Sequence, residues 1–280
     1  MSEQPTLKDM LARIQRLPAL PAVALDLLNT LSGSDPDVAS LARRIAQDQA
    51  IAARVLRVAN SPFYGLQSRV GSIHDAIVVL GFAAVRSLVL AAAVVTGLPG
   101  GHCAGFDPSR FWRHVMGTAV AAQSLAQRLG RPPESLFVAG LLHDIGRLAM
   151  VSVYPELFAR ALTIACERDC SLRDVELEIF GFDHTAVGAA LTLRWHLPEE
   201  IIDALAYHHQ PELGAPGGLA PIIHYADAIS TALDFEEAED TLMPRLHPAT
   251  IDALGLGWQS LTEVLADTRT RFESYRLLLG

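Results

Sequence analysis

The chain is poor in lysine, cysteine and aromatic residues, and each shortage excludes a class of protein. Lys8 is the single lysine among 22 basic residues, which face 31 acidic ones and leave a net charge of −9. That charge has the wrong sign for binding phosphate backbones over a broad surface, so general nucleic-acid binding is disfavoured. Cys103, Cys166 and Cys170 are too few and too irregularly spaced for a disulfide framework. With aromatic residues at 6%, a strand-dense composition is not indicated either.

Long hydrophobic runs are also missing. The longest, Leu88–Val95, is far shorter than the ~20 apolar residues of a membrane-spanning helix, so it predicts a buried helix and no membrane insertion. The start of the chain carries Glu3, Lys8 and Asp9, where a signal sequence would be apolar. Together with the unpaired cysteines, this predicts a cytoplasmic protein.

Helix signals dominate what the sequence does contain. Half of the 280 residues are hydrophobic, enough to bury ~70–75% of the unfolded surface. Asp35-Pro36 has the form of a helix start, and Ser72–Asp75 has that of a capping box. Apolar residues recur at helical spacing, and no Asn-Gly or Asp-Gly hairpin signal occurs. The sequence therefore predicts an all-α helical bundle with at most two short strands.

A glycine- and proline-rich stretch divides the chain. Leu98–Pro108 contains three glycines and two prolines and is the best boundary between two helical regions. We predict an N-terminal helical lobe over residues 10–100 and a second helical lobe over residues 106–233. Residues 234–280 are predicted to hold a solvated acidic linker, Asp234–Asp240, and a C-terminal helix.

A histidine and an aspartate occur side by side in the most apolar part of the second lobe. Leu136–Leu148 is hydrophobic around nearly the whole helix, so His143 and Asp144 are predicted to be buried. Burying these groups without partners costs several kcal/mol. For an isolated pair, a hydrogen bond to water or backbone would be the ordinary solution.

The pair is not isolated, because further imidazoles and carboxylates occur on successive helices. Helical bundles build metal sites in this way, with one or two ligands from each helix. Imidazole and carboxylate together suit Fe, Mn, Zn or Ni. The alternative is a buried polar network without an ion. The candidate metal ligands are His114, His143, Asp144, His184, His208, His209 and Asp227.

The order of these residues resembles a known superfamily. His114, His143-Asp144 and Asp227 are similar to the H…HD…D order of HD-domain proteins, whose enzymes are metal-dependent phosphohydrolases. The first hundred residues resemble the HDOD family, the HD-related output domains, and the resemblance spans roughly residues 10–232. It is carried by Leu17–Pro21, Asp48, Asn60–Gly65 and Ala76–Gly81.

The resemblance implies both a ligand arrangement and a function. One metal ion is expected at His114, His143, Asp144 and Asp227, and a second at His184, His208 and His209, with Asp144 bridging. HDOD proteins are regarded as signalling modules that have mostly lost hydrolase activity. The expected function is therefore a signal-transduction output module with a protein partner, and with a nucleotide or cyclic dinucleotide as a ligand class.

The alternative is a metal-dependent phosphohydrolase that acts on a nucleotide or cyclic dinucleotide. Asp144 and Arg147 would then take part in catalysis, since two ions that share a carboxylate can activate a water and stabilise the leaving oxygen. Two departures from the HD pattern disfavour this alternative. His184, His208 and His209 are similar to the binuclear pattern of the HD-GYP phosphodiesterases, but the Gly-Tyr-Pro loop of those enzymes is missing after His209, where the sequence continues Gln210-Pro211. In addition, Arg147 replaces the lysine that is common after H-D-I-G. No cofactor other than metal is expected.

Two further residues have roles that the sequence leaves open. His224 shares a helix face with Asp227, where it either contacts a metal ligand or packs as an ordinary buried histidine. Asn60 lies in a turn between two apolar helices. It either caps the local backbone or belongs to a fixed corner that sets the angle between the lobes.

Overall fold

Helices make up the regular structure of the protein. The computed structural model describes residues 4–14, 21–29, 38–66, 69–97, 102–236, 242–248, 250 and 254–279, and no strand occurs among them. The predicted all-α class is confirmed. The predicted helix start at Asp35-Pro36 lies outside the described residues.

Among the described residues, six helices precede the glycine- and proline-rich stretch. They are α1 Leu7–Ile14, α2 Ala22–Asn29, α3 Val38–Gln47, α4 Gln49–Ala59, α5 Ile73–Leu80 and α6 Phe82–Gly97. Side-chain caps fix three of these starts: Thr6 accepts a hydrogen bond from Asp9 N, Asp48 accepts one from Ile51 N, and Ser72 accepts one from Asp75 N. The helix start predicted at Ser72 is confirmed, and Asp75 Oδ2 in turn accepts a hydrogen bond from Ser72 Oγ.

Asn60 makes the turn after α4 a rigid corner. Its Nδ2 donates hydrogen bonds to Leu56 O at 2.7 Å and to Val70 O at 2.9 Å, and its Oδ1 accepts one from Val70 N at 2.8 Å. The side chain thus joins the end of α4 to a segment ten residues later. This geometry contains both the local cap and the fixed corner.

Nine helices are described after the glycine- and proline-rich stretch. They are α7 Pro108–Leu129, α8 Pro133–Leu142, α9 Ile145–Val153, α10 Pro155–Arg168, α11 Leu172–Phe180, α12 His184–Arg194, α13 Glu199–Tyr207, α14 Ala220–Ala232 and α15 Trp258–Tyr275. Short 3₁₀ turns occur at Pro62–Tyr64, Pro211–Leu213 and Arg276–Leu278. Asp107 and Asp183 cap α7 and α12.

Helix α7 lies at the centre of the second lobe. It packs against α8, α14 and α15, while α12 packs against α9 and α13. Helix α6 contacts α8 and so joins the two regions, and α1 packs against α9 and α12. The domain boundaries themselves stay predictions.

Two parts of the chain differ from expectation. The segment Leu136–Leu148, predicted as one helix, is interrupted at His143-Asp144, because Asp144 leaves helical geometry with φ −101° and ψ 10°. Of the solvated linker predicted at Asp234–Asp240, the described residues are 234–236; Asp234 is exposed as predicted, but the prediction is wrong for Phe235. Phe235 is buried and stacks on Phe272 of α15, with ring centroids 3.9 Å apart.

Helices α8 and α9 together form a stretch that is long and apolar enough to cross a membrane. Most of that stretch, Pro133–Val153, is buried inside the protein. A core helix gives the same signal as a spanning helix in such a test, and this stretch holds the central pair His143-Asp144.

Candidate metal centre

The structure brings all seven candidate ligands to one place. Six of them are buried, and His209 is half-buried. They come from five elements, which explains why no single local motif contains the whole set. His114 lies on α7, His143 and Asp144 lie between α8 and α9, His184 begins α12, His208 and His209 directly follow α13, and Asp227 lies on α14.

Two glycines on either side of His143-Asp144 bring the neighbouring helices into contact with this pair. A Cβ atom at Gly140 would lie 2.7 Å from Ala119 Cα of α7. A Cβ atom at Gly146 would overlap His184 O and lie 2.8 Å from Gly188 N, both on α12. Main-chain contact therefore determines how close α7 and α12 come to the centre.

Asp144 lies between two groups of ligands. Its Oδ2 is 3.8 Å from His114 Nε2 and 3.7 Å from His143 Nε2. Its Oδ1 is 3.0 Å from His184 Nε2 and 3.7 Å from His208 Nε2. We call His114, His143 and Asp227 the first half-site, and His184, His208 and His209 the second half-site; each faces one oxygen of Asp144.

The first half-site is compact. His114 Nε2 lies 3.2 Å from Asp227 Oδ1 and 3.2 Å from His143 Nε2. The possible ligand atoms of His114, His143 and Asp144 all lie within 4.8 Å of one another, a spacing suited to a metal ion.

The second half-site has the same form. His184 Nε2 lies 3.1 Å from His209 Nε2, and the ligand atoms of Asp144, His184, His208 and His209 lie within 4.8 Å of one another. His208 Nε2 is buried and has no hydrogen-bond partner among the described residues. A buried nitrogen of this kind is costly unless it binds something.

In His143 and His208, the ring nitrogen that faces away from the centre, Nδ1, determines whether the nitrogen that faces the centre, Nε2, carries a lone pair. His143 Nδ1 lies 2.8 Å from Gly140 O, and His208 Nδ1 lies 2.9 Å from Leu205 O. A carbonyl oxygen only accepts, so both Nδ1 atoms donate. In the neutral rings, Nε2 then presents a lone pair to the centre, as metal-ligating histidines do.

Two glutamates that are not candidate ligands lie beside the Nδ1 atoms of His184 and His114. Glu176 Oε2 lies 2.6 Å from His184 Nδ1 and accepts a hydrogen bond from His184 N at 2.9 Å. Glu236 Oε1 lies 2.8 Å from His114 Nδ1. Sequence reasoning missed both. Glu176 lies beside Val175 and four residues before Phe180 on the apolar stripe of α11, which was a usable signal.

Arg147 is the cation of the second half-site. It pairs with Asp144 and, through Nε at 3.3 Å, with Glu176 Oε1. Burial opposes its charge, but the carboxylates of Asp144 and Glu176 outweigh this and raise the pKa of Arg147. The guanidinium therefore stays charged and forms ion pairs with both Asp144 and Glu176.

The buried groups around Asp144 carry more negative than positive charge. Four carboxylates, those of Asp144, Glu176, Asp227 and Glu236, accompany two guanidiniums, those of Arg110 and Arg147. Arg113 also contacts the backbone oxygen of Glu236, so with neutral histidines the cluster still carries an excess of negative charge, which a metal ion or protons would offset.

The pKa shifts show where protons go in the metal-free protein. Burial opposes charge on His114, but Asp227 and Glu236 outweigh it and raise its pKa to about 10. Burial and Arg147 oppose charge on His184, but Glu176 and Asp144 raise its pKa to about 9. Burial lowers the pKa of His143 to about 4. Protons and metal ions thus compete for the same inward nitrogens.

His224 contacts a ligand and does not simply pack. Its Nδ1 lies 2.7 Å from His208 O, and its Nε2 accepts a hydrogen bond from His247 N at 3.1 Å. The ring therefore joins the second half-site to residues 242–248.

Comparison with known proteins gives the same family as the motifs. The HDOD domain family model matches residues 17–211. A structure of a candidate phosphohydrolase from Shewanella amazonensis has a TM-score of 0.77 and 29% identity, covering 97% of this chain and 98% of that one. An HDOD domain protein of unknown function from Geobacter sulfurreducens has a TM-score of 0.75 and 27% identity, covering 92% and 87%. A candidate signal transduction protein from Marinobacter aquaeolei has a TM-score of 0.73 and 27% identity, covering 100% and 62%.

Curated relatives match over shorter shares of their length. An uncharacterised protein of Treponema pallidum is 26% identical over 230 residues, which are 81% of this chain and 44% of that protein. A ribonuclease Y of Thermus thermophilus is 31% identical over 120 residues, 43% of this chain and 16% of that protein. The chain therefore spans less than half the length of these relatives.

Proposed function

The chain belongs to the HDOD family, and from this membership we propose that it is a signal-transduction output module that binds one or two divalent transition-metal ions without substantial hydrolase activity. The enclosure of the ligands carries the proposal. His143, Asp144, His184 and His208 are at most 1% exposed. A catalytic ion needs an open coordination position that substrate can reach, whereas a signalling or structural ion does not.

The residues fit an ion of the Fe, Mn, Zn or Ni class. Imidazole nitrogens and carboxylate oxygens converge on Asp144, and the unpartnered Nε2 of His208 is ready to donate its lone pair. The ligands would be the three residues of each half-site together with Asp144. An ion bound there would join α7, α12, α13 and α14, so its presence would alter how these helices pack.

The output would pass through the outer surface to a signalling protein partner. A nucleotide or cyclic dinucleotide is the ligand class that HD-related chemistry favours, and the net charge of −9 disfavours general nucleic-acid binding. We place the protein in the cytoplasm on the basis of its unpaired cysteines. The likeness to the Marinobacter aquaeolei signal transduction candidate supports this function.

Metal analysis combined with hydrolase assays tests the proposal. Protein purified without chelator or histidine tag is expected to contain one or two transition ions per chain. Cyclic dinucleotides and simple phosphomonoesters, supplied with Mn²⁺ or Fe²⁺, are expected to remain intact. Metal-dependent turnover in the ~1–10³ per second range that Asp144→Ala abolishes would overturn the assignment.

A metal-dependent phosphohydrolase is the second candidate, and one observation favours it. Each oxygen of Asp144 faces a different half-site, as expected of a carboxylate shared by two catalytic ions. Arg147 would add positive charge near a phosphate, although Asp144 and Glu176 already engage it. The likeness to the Shewanella amazonensis phosphohydrolase candidate supports this alternative, and the assays above separate the two.

A further inference from the structure

We infer that Glu236 is a positioning residue of the first half-site, supplied by a segment that α15 holds against α7. This inference rests on the metal centre of the proposed function and assigns it a residue beyond its ligands. We call this segment, residues 233–236, the clasp.

The clasp reverses direction immediately after α14. Leu233 caps that helix, and Asp234 adopts a left-handed conformation with φ 53°. Asp tolerates this region better than most residues because its short polar side chain can bond locally. The reversal directs the following two residues back toward α7.

Phe235 anchors the clasp in the core. Its ring is 7% exposed and lies parallel to that of Phe272, with an interplanar angle of 16°. It also packs against Gly117 of α7, where a Cβ atom would lie 2.5 Å from the Phe235 ring. The position of the clasp therefore depends on α15 as well as on α7.

Three contacts then fix Glu236. Its Oε2 accepts a hydrogen bond from Arg110 Nε at 3.0 Å, and its backbone oxygen accepts one from Arg113 Nη2 at 3.0 Å. The remaining oxygen, Oε1, lies 2.8 Å from His114 Nδ1, an ion-pair contact whose angle is outside hydrogen-bond geometry. Both arginines and His114 lie on α7, so one face of this helix binds the carboxylate and presents the ligand.

The chemical consequence concerns the other nitrogen of His114. A carboxylate at Nδ1 retains the proton there, which leaves Nε2 free to bind an ion, and it makes the imidazole a stronger donor. His114 O also accepts a hydrogen bond from Ser230 Oγ at 3.0 Å, so the backbone of this ligand is restrained independently. Glu236 thus controls the ring while Ser230 restrains the main chain.

Three variants test the role of Glu236. Glu236→Ala removes the carboxylate. Glu236→Gln keeps an oxygen that can accept from His114 Nδ1 but removes the charge. Glu178→Ala is the matched control, since Glu178 is a glutamate that pairs with an arginine, Arg168, on the exposed surface of α11. Circular dichroism and thermal unfolding establish that each variant is folded.

Metal affinity is the first measurement. Titration with Zn²⁺ alone is expected to show one binding event weakened ~10–100-fold in Glu236→Ala, the usual effect of losing the outer partner of a ligand. Glu236→Gln is expected to lie between Glu236→Ala and wild type. Glu178→Ala is expected to match wild type.

Proton NMR of the Co²⁺-loaded protein is the second measurement. The exchangeable Nδ1 proton of His114 should be visible in wild type, retained in Glu236→Gln and lost to solvent exchange in Glu236→Ala. A wild-type protein that binds neither Zn²⁺ nor Co²⁺ would overturn the metal centre together with this inference. Normal wild-type binding that Glu236→Ala leaves unchanged, in affinity and in the Nδ1 signal, would overturn the inference alone.

Discussion

The two half-sites use the same chemistry but differ in how they are held. In the second, Glu176 is fully buried within α11 and bonds both the ring and the backbone nitrogen of His184. In the first, Glu236 follows the end of α14, and its side chain is 13% exposed. A carboxylate fixed within a packed helix is organised before an ion arrives, whereas one that follows a helix end depends on the segment that carries it. We therefore expect the second half-site to bind its ion more tightly.

The largest effect is expected at Asp144, the residue that both half-sites share. Asp144→Ala should remove both ions, because each half-site faces one oxygen of this carboxylate. Thermal stability should fall as well, since an ion that binds only the folded state stabilises it. Elemental analysis and thermal unfolding measure these effects. The exposed Asp174→Ala is the control, and an Asp144→Ala protein that keeps either ion would show that the carboxylate is not shared.

Substitutions in one half-site should remove one ion. His114→Ala is expected to leave the second ion in place, and His208→Ala the first, because the two residues lie on opposite sides of Asp144. Metal content per chain should fall by one equivalent in each case when wild type binds two. Equal loss of all metal in both variants would mean that a single ion, or one inseparable pair, occupies the centre.

The metal-free protein should lose stability as the pH rises. His114 and His184 have folded-state pKa values of about 10 and about 9, above the value of about 6.5 in an unfolded chain. Between pH about 6.5 and the folded-state pKa values, the folded state therefore binds more protons than the unfolded state. The resulting stability is fully present below pH about 6.5 and is lost progressively as the pH rises through the folded-state pKa values.

Chelator-treated and metal-loaded protein distinguish this effect from general alkaline unfolding. Thermal midpoints of the metal-free protein are expected to fall between pH about 6.5 and about 10. The loaded protein should not show this fall, because its ligands have already released their protons. A metal-free midpoint that stays constant over this range would contradict the assigned proton positions.

The smallest effect on the two half-sites is expected from the corner at Asn60. Asn60→Ala removes three hydrogen bonds, two of them to Val70, and should destabilise the protein by about 1–3 kcal/mol. Metal content should stay at the wild-type level, while partner binding or signalling output in cells should be lost. Chemical denaturation and elemental analysis measure the first two effects. Unaltered signalling by a stably expressed variant would leave Asn60 with a structural role alone.

The sequence predicted most of the fold and the seven candidate ligands that converge, but not Glu176 and Glu236, which support two of them. Caps such as Ser72 and apolar periodicity are local signals, so the helices followed from them. The order of histidines and aspartates indicated the candidate ligands, whose role in binding metal stays a prediction. The break at His143-Asp144 has no local cause, since no proline or strong cap lies there, and it depends on the neighbouring helices. Glu236 was missed because charge in an acidic stretch normally indicates solvent, and only the packing of Phe235 brings it inward.

The glycines at positions 140 and 146 give the short motif around His143-Asp144 a second, purely geometric meaning. One allows α7 to touch the chain before the pair, and the other allows α12 to touch it after the pair. Because backbone touches backbone at both contacts, no side chain lies there that could move to adjust the approach of α7 or α12. A larger or smaller ion would then be accommodated by His208 and His209, which follow the end of α13, and by movement of the clasp that positions His114. We therefore expect selectivity for ion size to depend more on these outer elements of the bundle than on its centre.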